Sequence, residues 1–193
     1  MAVYNLPFYR YEFEKYGVYQ RHGEERTIEA AIDIMDYFRG KDALDDSFFS
    51  YSEISHLYDV KVLLDRAAVL AVMSISLLVC IMYRSHRKKI LCRQVAGTLI
   101  AAGLFAFAMM VLGVLLCFAT GFDFLFTAFH KVFFTGNYAF NPAISNMKYM
   151  FPDGFFLDIS SRILSVYLLM SALAALGGVI IRRRCSRPAP ASP

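Results

Sequence analysis

QVAGTLIAAGLFAFAMMVLGVLLCFATGF, residues Gln94 to Phe122, runs for 29 residues without one charged side chain. A helix rises about 1.5 Å per residue, so roughly 20 apolar residues cross a hydrocarbon core of about 30 Å. This stretch exceeds that length and has to tilt or project beyond the bilayer. Two further runs share its character. Ile163 to Ile181 holds 19 uncharged residues, and Ala67 to Tyr83 is also uncharged. The last is short and spans only by borrowing Val62 to Arg66, with their charges at the headgroups. The whole chain, 58% hydrophobic and 19% charged over 193 residues, is too apolar for an ordinary soluble domain.

Basic residues orient these spans. The turn between the first two carries Arg84, Arg87, Lys88, Lys89 and Arg93, and the tail carries Arg182, Arg183, Arg184 and Arg187, both without an acid. The positive-inside rule makes both cytoplasmic. Residues 1 to 61, with seven Lys/Arg against twelve Asp/Glu, then lie outside with the loop 123–162. The basic clusters are explained by orientation, so no nucleic-acid partner is expected. The expected class is an all-α polytopic membrane protein of the cell membrane. Its segments are an external N-terminal helical cap (1–61), transmembrane helices at 62–84, 94–122 and 163–181, a basic cytoplasmic turn (85–93), an external aromatic interfacial loop (123–162) and a disordered cytoplasmic tail (182–193).

The start of the chain, MAVYNLPFYRYEFEKYG, has neither a basic region nor an apolar core of the kind that exports a segment. A fourth, N-terminal transmembrane helix ahead of Met1 is therefore expected in the natural protein. The alternative is a first span that inserts as a reverse anchor. Cys80 and Cys117 lie in spans and Cys92 and Cys185 on the basic side, so all four are expected as packing residues or inert thiols.

Local patterns fill in the rest. Ile28, Ile32, Met35 and Phe38 recur at helical spacing before Gly40, predicting an amphipathic helix over 27–39. Ser50 and Glu53 fit a capping box, which starts a helix near Tyr51 that meets no breaker before Arg84. Gly136-Asn137, Asn141-Pro142 and Pro152-Asp153-Gly154 mark turns, leaving short helices over 124–134 and 142–150. Gly97, Ala101 and Ala102, with Ser171, Ala174, Ala175 and Gly178, give small-xxx-small spacings for close helix packing.

Four histidines are present. His22 falls in a polar turn and His86 in the basic cluster, so both are expected in solvent. His56 and His130 fall on the external membrane face, and Glu53, His56 and Asp59 recur at intervals of three along one helical face. A neutral imidazole there can act as a general base, with Asp59 or Glu53 holding its tautomer. Zinc bound by His56, His130 and a carboxylate is the weaker alternative, since neither HExxH nor a His/Cys cluster is found. Serine hydrolysis lacks a GxSxG. No metal or cofactor is expected.

EISHLYDVK (Glu53 to Lys61), FHKVFFTGN (Phe129 to Asn137) and FPDGFF (Phe151 to Phe156), in this order and with a basic turn between the first two, resemble the integral membrane family that includes the bacterial lipoprotein intramolecular transacylase. The resemblance covers about residues 5 to 181. It implies that a diacylglyceryl-cysteine is converted to a lyso form at the outer leaflet, by moving an acyl chain from the glycerol to the cysteine amine. The family's two important histidines would be His56 and His130, and a diacylated lipoprotein and membrane lipid would be the partners. Family members carry an additional first spanning helix, in keeping with the expectation above. On this reading Asp59, Glu53, Lys61 and Asn137 are candidates to orient the base or steady an oxyanion, and Phe129, Phe133 and Phe134 would face the acyl chains. The competing reading is a noncatalytic integral membrane protein with an external partner-binding surface.

Overall fold

A computed structural model describes residues 4–87, 91–134, 136 and 138–185. Among these residues all regular structure is helical, without a strand. The helices are α1 (Leu6–Lys15), α2 (Tyr19–His22), α3 (Glu24–Phe38), α4 (Tyr51–Arg87), α5 (Leu91–Thr120), α6 (Phe122–Phe133), α7 (Asn146–Met150) and α8 (Asp153–Cys185). Among the described residues three are long and apolar enough to cross a membrane, over Tyr51–His86, Cys92–Thr120 and Asp153–Cys185. Two compact units result. An aromatic unit takes Met1–Ala67 with Gly121–Ser161, and an apolar unit takes Ala68–Thr120 with Arg162–Pro193.

The aromatic unit has a core of its own. The Asn5 side chain accepts the Phe8 N–H at 3.2 Å and Pro7 sits in the first turn, so α1 starts where a free N–H is least needed. One face of α1 then buries Phe8, Tyr9 and Phe13, whose rings meet Phe151 and Phe155 edge-on or tilted, with centroids 5.4 to 6.3 Å apart. Thus two aromatic residues of the 123–162 loop, expected in the membrane interface, instead pack against α1: Phe151 and Phe155 are buried. Exchange of Asn5 for alanine is expected to cost about 1 kcal/mol, read as a fall of a few degrees in the thermal midpoint of the detergent-solubilised protein.

Helix α3 opens with Glu24 and Glu25 at its positive end and stops at Gly40, whose φ of 74° suits only glycine well. Its buried face is Thr27, Ile28, Ala30, Ala31, Ile34 and Met35. Ile32, expected on that face, is 40% exposed, while the two alanines before it, Ala30 and Ala31, are buried. Lys61 of α4 donates to the Tyr37 carbonyl at 2.7 Å, with its ammonium 4.4 Å from the Tyr37 ring centroid. The cation therefore closes the carbonyl end of α3.

In the apolar unit α5 and α8 touch through small residues. A Cβ added at Gly103 would lie 2.6 Å from the Ser171 carbonyl oxygen and 2.8 Å from the Ala175 nitrogen. One added at Gly178 would lie 2.8 Å from the Ala96 oxygen and 2.9 Å from the Ile100 nitrogen. The α8 side of this seam is the expected Ser171, Ala175 and Gly178. The α5 side is Ala96, Ile100 and Gly103, whereas Gly97 has nothing within 4 Å. Cys92 and Cys185 are joined in a disulfide that closes 93 residues, which corrects their reading as inert thiols; Cys80 and Cys117 remain free. Sequence distance concealed this pairing, since Cys92 lies in the first turn of α5 and Cys185 is the last residue of α8. Lys88, Lys89 and the tail from residue 186 lie outside the described residues.

Candidate functional site

The site is assembled within the aromatic unit from α4 and α6. His56 lies on the second turn of α4 and is 7% exposed; His130 lies near the end of α6 and is 8% exposed. Their rings face one another at 18°, with centroids 6.0 Å apart. Phe134 contacts both, 4.9 Å from His56 and 5.2 Å from His130. Phe140 meets His56 at 5.5 Å, and Phe126 and Tyr138 meet His130 at 4.2 and 5.4 Å. Two imidazoles are thus enclosed by aromatic rings.

One tautomer is fixed by local geometry. His130 Nδ1 lies 2.7 Å from the carbonyl oxygen of Phe126, one turn earlier in α6. A carbonyl only accepts, so Nδ1 carries the proton and Nε2 presents a lone pair. Spacing on an amphipathic helix produces this, because residues four apart share a face. Phe126 is in turn fixed by Phe156, 5.0 Å away.

Glu53 points elsewhere. Only 2% exposed, its carboxylate accepts the Ser50 N–H and Ser50 hydroxyl at 2.7 Å, the Ser145 hydroxyl at 2.5 Å and the Met147 N–H at 2.8 Å. The expected reach-back of Glu53 to the Ser50 N–H is present, and the other oxygen grips the loop before α7.

The remaining candidates separate clearly. Asp59, half-buried, forms no hydrogen bond or ion pair among the described residues. Lys61 is engaged with Tyr37 as above, and Asn137 lies outside the described residues. Phe129 and Phe133 are 44% and 52% exposed and pack on each other at 4.8 Å. Phe134 differs from them: it is 6% exposed and belongs to the aromatic enclosure, not to an open face. His22, expected in solvent, is half-buried. Its Nε2 is 2.9 Å from the Asn146 side-chain oxygen and its ring lies 5.0 Å from Phe48. His86 is exposed. No group of three His, Cys, Asp or Glu suited to a metal ion is found among the described residues.

The sequence reading missed Phe126, Tyr138, Phe140, Ser145 and Arg21. Only Phe126 carried a local signal, its four-residue spacing from His130.

The sequence model for the family described as "Lipoprotein intramolecular transacylase Lit" matches residues 1–156. The fold is similar to the in meso structure of the membrane-integral lipoprotein intramolecular transacylase Lit from Bacillus cereus. The TM-score is 0.81 at 20% identity, over 95% of this chain and 86% of that one. A comparison with curated proteins gives no match.

Proposed function

Because the chain belongs to the Lit family of lipoprotein intramolecular transacylases, we propose that it moves an acyl chain within a diacylated lipoprotein, from the glyceryl ester to the amine of the N-terminal cysteine. The observation that carries this reading is the pair of enclosed imidazoles 6.0 Å apart, one with its tautomer fixed. His130 Nε2 takes a proton from the attacking amine. The nitrogen-to-acyl bond forms, the ester carbon-to-oxygen bond breaks, and the same proton passes to the leaving glycerol oxygen. No other reactant is needed. Because both partners are on one lipid, orientation supplies much of the rate, and well-placed reactants gain about 7 to 11 kcal/mol.

His56, the nearest imidazole, is assigned to steady the oxyanion, a role in which one lost donor costs roughly 3 to 4 kcal/mol. Phe129 and Phe133 offer an exposed apolar surface for the acyl chains. The acid-free basic stretches of the sequence at 84–93 and 182–187 support an active face on the exported side of the membrane. Family membership does not favour the noncatalytic partner-binding reading.

The test is expression in a host with diacylated lipoproteins and no transacylase of its own, followed by mass spectrometry of lipoprotein N-termini. Peptides carrying an N-acyl group and a single remaining glyceryl ester are expected. If the protein accumulates in the membrane and only diacylated peptides are found, the proposal is wrong.

A further inference from the structure

The loop between α6 and α8 is held by more polar contacts than a connecting segment requires. Asn141 closes a tight turn: its backbone carbonyl accepts from the Ile144 and Ser145 N–H groups at 3.1 and 2.9 Å, and its side-chain oxygen accepts from the Ala143 N–H at 2.9 Å. Arg21 of α2 donates to the carbonyls of Pro142, Ala143 and Ser145 at 2.7, 3.3 and 3.3 Å, and its guanidinium lies 3.8 Å from the centroid of the Tyr149 ring. Glu53 holds the other side through Ser145 and Met147.

The residue directly before this turn is Phe140, whose ring meets His56 edge-on with centroids 5.5 Å apart. Glu53 and His56 are three residues apart on α4, so one face of one helix grips the turn and carries the imidazole beneath it. We propose that Glu53 is a positioning residue: with Arg21 it fixes the 141–147 turn, and through that turn it holds Phe140 as a roof over His56. This inference rests on the transacylase reading for its kinetic consequence but not for its structural one.

Glu53→Gln is the sharpest probe. A carboxylate accepts on both oxygens, whereas an amide must turn its NH2 either toward the Met147 N–H or toward the Ser50 N–H, placing donor against donor. Arg21→Ala loosens the same turn from its other side and tests the same proposal independently of how well the Glu53 variant accumulates. Both are made in the full chain and purified in detergent.

The first readout is carbethoxylation by diethylpyrocarbonate, followed at each histidine by peptide mass spectrometry, with exposed His86 as internal reference. The His56 rate relative to His86 is expected to rise at least about fivefold in both variants as the turn opens locally. The second is the rate on a diacylated lipopeptide. A fall in kcat of about tenfold or more is expected, with KM within about twofold, since misplacement of a reacting group acts on the chemical step. Unchanged His56 protection in both variants, or unchanged kcat with an opened His56, overturns the proposal. A wild-type protein without activity sinks the transacylase reading instead, and the labelling experiment then decides the roof by itself.

Discussion

Exchange of His130 for alanine is expected to lower kcat on a diacylated lipopeptide by about 10² to 10⁴-fold with little change in KM, the usual range for loss of a positioned general base. The hydrogen bond from Nδ1 to the Phe126 carbonyl leaves Nε2 as the basic atom of this ring. His130 also touches Phe126, Phe134 and Tyr138, so some destabilisation accompanies the substitution. Rates should therefore be compared at a temperature where both proteins remain folded by intrinsic fluorescence. His56→Ala is expected to be severe as well, and the double variant no worse than the weaker single, because groups that act as a unit are not additive. A His130 variant that retains more than about a tenth of the rate would remove the base from this residue.

Leucine at Gly178 is expected to break the pairing of α5 and α8. Its Cβ alone would meet the Ala96 oxygen and Ile100 nitrogen at under 3 Å, and backbone atoms cannot rotate aside as a side chain can. Overpacking costs about 1 to 3 kcal/mol where a site can adjust, and a leucine against two backbone atoms exceeds the upper end. For a chain of this length that corresponds to a fall of roughly 10 °C in the unfolding midpoint. Gly103→Leu should behave in the same way, against Ser171 and Ala175. Gly97→Leu is the control: with no atom within 4 Å, it should remain within about 0.5 kcal/mol of the parent. Equal midpoints for Gly97→Leu and Gly178→Leu would show that the glycines do not mark the seam.

The three long helices were legible because absence of charge is a signal along the chain and needs no partner to interpret. The same uniformity hid their rotation. Helix α5 is apolar all round, so nothing in its sequence distinguished the seam Ala96, Ile100, Gly103 from the neighbouring Gly97 and Ala101. On α3 the large residue Ile32 was given to the core ahead of Ala30 and Ala31, although small side chains are what close contact selects. Helix α1 went unforeseen, yet Asn5, Pro7 and Gly17 are the start and stop signals of such an element. At the site, the two histidines could be singled out by position, and they lie 6.0 Å apart. Their enclosure could not, because Tyr138 and Phe140 reach the imidazoles only through a turn fixed by Arg21, Ser145 and Glu53 from distant parts of the chain.

The double engagement of Glu53 bears on the order in which the protein is made. Ser145 follows Glu53 by 92 residues, so the ribosome completes α4 long before the hydroxyl that shares its carboxylate exists. Until Ser145 and Met147 exist, burying the Glu53 carboxylate would leave one of its oxygens without these partners, so water is the better place for it. The histidine pocket can therefore take its final shape only after the segment carrying Ser145 and Met147 has been translated.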